Sequence, residues 1–166
     1  LCKPTTRSAS VTRLKLPDYI AIQATESYRA FIIHGPAMSG KTRLAQRLRD
    51  VLGAYVLDLQ AHFVVHPDLC ASIDRYRPRD LERLLLALDV PEPLVVVDNM
   101  DFLLNTWTSH HRREFVAMVD HRLRSPGDTD KTFVFLIQTD PVIVRHELTN
   151  TRGQPRILPI DAFFAL

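Results

Sequence analysis

The sequence predicts an α/β fold, a parallel five-stranded sheet with helices on both faces. Three observations carry this. The wholly apolar runs Leu94-Val95-Val96-Val97 and Phe133-Val134-Phe135-Leu136-Ile137 suit strands buried on both sides. Segments with helical spacing lie between such runs, and strands that alternate with helices build parallel sheets. Gly35-Pro36-Ala37-Met38-Ser39-Gly40-Lys41-Thr42 matches G-x-x-x-x-G-K-[ST] and stands between the first apolar run and the first amphipathic segment.

Residues 1–16 are polar and basic, with Lys3, Arg7, Arg13 and Lys15, and read as a flexible arm ahead of a single domain, 17–166. Pro17-Asp18 opens a helix over 17–27. The first strand is 30–34. A helix over 41–52 is closed by Gly53, a residue suited to a left-handed cap. The second strand is 54–59, and no element is assigned over 60–77. Pro78 starts a helix over 78–88 with Leu81, Leu84, Leu85 and Leu88 on one face. Pro91 and Pro93 precede the third strand, 94–98. A helix over 109–124 ends at the turn Ser125-Pro126-Gly127-Asp128, which leads to the fourth strand, 132–138. A short fifth strand is placed at 156–160.

Bulk properties narrow the function classes. A chain of 166 residues, 46% hydrophobic and 24% charged, is an ordinary globular domain. A formal charge of +2 is too small to imply nucleic acid by itself. Two cysteines, Cys2 and Cys70, give no disulfide framework, and a cytoplasmic location is expected. No apolar run approaches the ~18 residues of a membrane span, and no apolar leader is seen.

The 35–42 pattern has a definite chemistry. Gly35 lets the chain leave the strand in a tight turn, and Gly40 lets amides approach a phosphate with no Cβ between. The amides from Met38 to Thr42 would point inward at a helix N-terminus, where the helix dipole favours anions. Lys41 would reach the β- and γ-phosphates, and Thr42 would ligate Mg²⁺. The expected nucleotide-binding set is Gly35, Pro36, Ala37, Met38, Ser39, Gly40, Lys41, Thr42 and Arg43, with ATP and Mg²⁺ as cofactors.

The run 94–97 followed by Asp98 is a Walker B pattern, with Asp98 at a strand end holding Mg²⁺ through water. Asn99 follows, where many such ATPases place Glu. An amide orients water but does not take its proton at neutral pH. Asp101 is the substitute if it faces the γ-phosphate, and a helix cap otherwise. Binding is therefore better supported than hydrolysis, and Asn99→Glu is expected to raise turnover if the water site is otherwise intact. Gln138 and Thr139, at the end of the fourth strand, could touch the γ-phosphate or the water. Alternatively they form a plain strand end, with Asp140-Pro141 starting a helix. The catalytic set is thus Lys41, Asp98, Asn99, Asp101, Gln138 and Thr139.

Together, the loop 35–42, the run 94–98, the polar strand end 138–140 and the late strand Arg156-Ile157-Leu158-Pro159-Ile160 resemble the core of an AAA+ or STAND ATPase. The size, the variant Asp98-Asn99-Met100-Asp101 and the lead-in Tyr28-Arg29-Ala30-Phe31-Ile32-Ile33 are similar to the BrxF family of small P-loop proteins from type III BREX phage-defence systems. The resemblance implies a three-layer P-loop NTPase with strand order 5-1-4-3-2. It implies an oligomeric ATPase or ATP-controlled switch working with other defence proteins on DNA. A helical lid is not expected within 166 residues, so a neighbouring subunit would close the site and supply an arginine finger. Arg145, Arg152 and Arg156 are the candidates for that finger.

Other features are weighed against plain packing. Tyr19 or Tyr28 could stack on a base. His62, His66 and Cys70 could bind zinc, although Pro67 interrupts their helix. His110, His111, Arg112, Arg113, His121, Arg122 and Arg124 could contact DNA phosphates or simply face solvent. Trp107 could anchor an interface. A non-hydrolysing scaffold and a P-loop metabolite kinase, with Asp58 as its acid, remain alternative functions.

Overall fold

The computed structural model describes residues 12–166. Five parallel strands form one sheet: β1 (Phe31–Gly35), β2 (Tyr55–Asp58), β3 (Leu94–Asp98), β4 (Thr132–Gln138) and β5 (Ile157–Pro159). The order across the sheet is β2-β3-β4-β1-β5. From the opposite edge this is 5-1-4-3-2, the order the resemblance implies. The helices are α1 (Leu16–Gln23), α2 (Lys41–Leu52), α3 (Leu59–Val64), α4 (Pro67–Ala71), α5 (Pro78–Leu86), α6 (Asp101–Thr106) and α7 (Ser109–His121).

Strand periodicity divides the core into two layers. Phe31, Ile33, Val96, Val134 and Leu136 point to one face and pack on α1 and α2 through Leu16, Tyr19, Ala45 and Leu48. Ile32, Val95, Val97, Phe133, Phe135 and Ile137 point to the other, against Leu81 and Leu85 of α5, Leu103 of α6 and Phe115 of α7. Every residue of β3 is buried, as is β4 up to Ile137. This two-sided burial is why the apolar runs do not alternate.

Short elements are where the fold departs from expectation. The segment 60–77 holds α3, α4 and a 3₁₀ turn at Ile73–Arg75, each too brief for a 3.6-residue period to register. The six-residue α6 escaped for the same reason. The first helix ends at Gln23, not residue 27, because the chain must reverse to enter β1. Asp140-Pro141 starts no helix: the Asp140 carboxylate accepts the Val142 and Ile143 amides at 2.9 and 3.1 Å, closing a single turn. The expected arm also ends earlier. Leu14 N–H donates to Ala162 O at 2.8 Å and Phe164 N–H to Leu14 O at 3.0 Å, tying residues near 14 to the chain's last segment. Residues 1–11 of that arm lie outside the described residues.

Candidate functional site

The connection from β1 to α2 forms a tight loop at the carboxyl end of the sheet. Gly35 pairs with Gln138 of β4. A Cβ at Gly35 would lie 2.5 Å from Ser39 Oγ and 2.9 Å from Ile160 Cγ2, so the loop folds back closely over its first residue. Met38 at φ 59° and Gly40 at φ 88° both take left-handed backbone, and the Met38 side chain is fully exposed. Gly40 stands at the helix N-cap. The first helical bond runs from Leu44 N–H to Gly40 O at 2.9 Å, so the amides of Lys41, Thr42 and Arg43 have no helical acceptor. The Lys41 ammonium donates to Pro36 O at 2.9 Å and to Gly35 O at 3.4 Å. It therefore closes the loop from within.

The end of β3 meets this loop directly. The buried Asp98 carboxylate lies close enough to the Thr42 hydroxyl to be stabilised by it, which brings the two expected Mg²⁺ ligands together. Burial pushes the Asp98 carboxyl above its ordinary range. The Asn99 amide and Thr42 hydroxyl oppose this, and the Asp58 and Asp101 carboxylates add to it. Among the described residues, no group of three or more His, Cys, Asp or Glu has metal-holding geometry. A cation here would draw on one hydroxyl, one carboxylate, water and ligand oxygens, a donor set that suits Mg²⁺.

Asn99 and Asp101 are engaged differently from the expectation. Asn99 has left-handed backbone, φ 54°, and its Nδ2 donates to Asp58 Oδ2 at 3.0 Å. Asp58 faces Asp98 across the β2–β3 ladder and caps α3 by accepting the Ala61 amide at 3.0 Å. Asp101 neither stands free nor caps its helix through a side-chain bond: its Oδ1 accepts Gln138 N–H at 2.7 Å. It thereby splices α6 to the end of β4.

At that strand end, Gln138 and Thr139 are exposed. Thr139 N–H donates to Gly35 O at 2.9 Å, and its hydroxyl lies 3.0 Å from His34 Nδ1. His34 and Asp58 are the residues that sequence reasoning left out of the site. Their only signals were a histidine next to the loop and an acid closing the second strand. An open pocket of about 700 Å³ flanks the loop, with Arg43 and Arg47 of α2 on one wall and Asp161 and Phe164 on the other.

Several candidates fall elsewhere. Arg156 is 3% exposed and sits before β5 at the amino end of the sheet. It donates to Val119 O at 2.6 Å, to Ala30 O at 3.1 Å and to Asp120 at 3.2 Å, so it cannot serve as an arginine finger. Arg152 is exposed at that same far end, while Arg145 is exposed in the segment leaving β4. Tyr19 is buried with its hydroxyl on Pro155 O at 2.6 Å, and Tyr28 bridges Arg124; neither reaches the loop. Trp107 is buried and donates to Tyr76 O at 2.7 Å, a packing role. The basic helix is partly spent on internal contacts. Arg112 pairs with Asp140 at 2.9 Å, Arg122 with Glu82 at 3.2 Å and His110 with Glu114 at 3.4 Å.

Among known proteins, the chain matches no family model, no curated protein and no solved structure. No helix among the described residues is long and apolar enough to cross a membrane.

Proposed function

We propose that the chain is a P-loop NTPase domain that binds ATP with Mg²⁺ at the 35–42 loop and works as a slow ATPase or ATP-controlled switch. The observation that carries this reading is the buried Asp98 carboxylate close to the Thr42 hydroxyl, beside a loop whose lysine is turned inward onto the Pro36 carbonyl. The loop amides and Lys41 receive the phosphates, with Lys41 leaving the Pro36 and Gly35 carbonyls for phosphate oxygens. Thr42 and Asp98 hold the cation, and Gln138 and Thr139 stand where they can touch the γ-phosphate or water. Bound Mg²⁺ supplies charge neutralisation across the β- and γ-phosphate oxygens.

The test is calorimetric titration with ATP, with Mg²⁺ present and with it chelated, on the wild type and Lys41→Ala. Mg²⁺-dependent binding lost in the variant supports the reading. Equal affinity in both proteins, or none in the wild type, would sink it.

A second reading, a nucleotide-binding scaffold with negligible turnover, is favoured by one pair of observations. Asn99 is held on Asp58 and Asp101 on a backbone amide, so neither side chain is free to activate water. Phosphate release that rises steeply with protein concentration would favour a site shared between copies and completed by an arginine in trans. Flat, negligible release with retained binding would favour the scaffold. Membership of a DNA-directed phage-defence complex rests on the sequence resemblance alone, and release measured with and without DNA bears on it.

A further inference from the structure

Thr139 is exposed, so its packing does not explain why it is fixed twice. Its N–H is held by Gly35 O at 2.9 Å and its hydroxyl by the His34 ring at 3.0 Å. The preceding residue is fixed as well, through the 2.7 Å bond from Gln138 N–H to Asp101. A strand end pinned at three points beside the phosphate loop holds one hydroxyl in a defined direction. We propose that His34 is the positioning residue for Thr139: the neutral ring accepts a hydrogen bond from the hydroxyl at Nδ1 and turns the Thr139 lone pairs toward the water that attacks at the loop. This inference rests on the nucleotide reading above.

The surroundings favour the neutral ring. Burial holds His34 below the ordinary imidazole range, and Asp161, on the turn after β5, pulls it partly back. The residues directly opposite it in the sheet carry no charge. Pro159 lies opposite on β5, and Gln138 and Thr139 close the β4 side. Asp140 is turned away onto Arg112 at 2.9 Å, and Lys41 is occupied by the loop carbonyls. When the ring takes a proton at Nδ1 it can only donate, and Thr139 must then accept from it. The hydroxyl reverses its direction, so acid should weaken turnover without releasing the nucleotide.

The experiment is an NMR titration of the His34 ring in the full chain, for wild type and Thr139→Val, with and without Mg·ATP. Thr139→Val removes the bond donated to the neutral ring and the stronger, charge-assisted bond accepted from the protonated ring, so the His34 pKa should fall by about half a unit, and Mg·ATP should move the titration in wild type far more than in the variant. The same titration in both proteins would overturn the inference. Turnover gives a second readout. His34→Ala should lower kcat roughly tenfold with ATP affinity within about twofold. His34→Asn, whose amide can replace Nδ1, should keep most of kcat and lose the acid limb of the pH profile. Asn failing as badly as Ala would also overturn it. Where turnover is too slow to follow, the ring titration decides alone. Absence of ATP binding by the wild type removes the nucleotide reading itself, whereas intact binding with an unmoved titration removes only the role of His34.

Discussion

The two ends of the sheet use the same residue types in opposite ways. At the amino end, Arg156 and Lys131 are buried and spent on backbone carbonyls, Lys131 on Val90 O at 2.6 Å and Glu92 O at 3.1 Å. Gln23 and Asn150 are buried there too, bonded to each other at 2.7 Å. At the carboxyl end, Lys41 is only half-buried, on loop carbonyls it can leave, and two non-glycine residues take left-handed backbone. One end buries its polar groups to close the fold, and the other leaves Lys41, Gln138 and Thr139 partly or fully exposed.

Four substitutions sharpen or break that comparison. Arg156→Ala should have the largest effect, a stability loss of about 3 kcal/mol or more in urea unfolding. It leaves Asp120 and the Val119 and Ala30 carbonyls without their donor. ATP affinity of the folded protein should not change. A mild loss would mean that the amino end is less tightly closed than its bonds imply. Lys41→Ala should do the reverse, lowering ATP affinity about a hundredfold, or about 2.7 kcal/mol, while the ligand-free Tm moves by no more than about two degrees.

Asn99→Glu is next. It removes the bond to Asp58, sets a second carboxylate against it, and places a longer side chain at a left-handed position that Asn tolerates better. The expected result is a loss of about 1–2 kcal/mol and no gain in phosphate release, opposite to what the sequence pattern alone suggests. Faster release would show that Asp58 yields its partner easily. Asp98→Asn should have a modest effect on stability, and its sign is positive. A carboxyl whose folded pKa lies above its unfolded value binds its proton more readily in the folded state, so the fold gains stability as pH falls through that range. At pH 7 the wild type carries the cost of a buried charge. The variant should melt about two to five degrees higher at neutral pH, with the advantage vanishing in acid, and should lose Mg²⁺-dependent ATP binding. A lower Tm at pH 7 would contradict the burial effect.

The main strands were legible because full burial leaves an unmistakable apolar run. The bounds of β3 and β4 and of α2 coincide with the expectation, since an acid, a glutamine and a left-handed Gly53 mark their ends. The loop 35–42 and its proximity to Asp98 were legible as a pattern with fixed spacing. The bonds of Asn99 to Asp58, Asp101 to Gln138 and His34 to Thr139 were not, because each joins residues 37 to 105 positions apart on different elements. The role of Arg156 was misread for the same reason: chain position after the fourth strand does not say which end of the sheet a residue reaches.

Taken alone, the sequence determined the parallel sheet, the turn that begins at Gly35 and the pairing of a lysine-threonine loop with an acid ending a buried strand. These depend on periodicity, backbone freedom and local spacing, which are properties of short stretches of chain. Only the tertiary structure decided which acids are free, which arginines are locked and where His34 points. Those outcomes depend on which strand ends are brought side by side, and on which partner, among several of the right type, lies within hydrogen-bond reach.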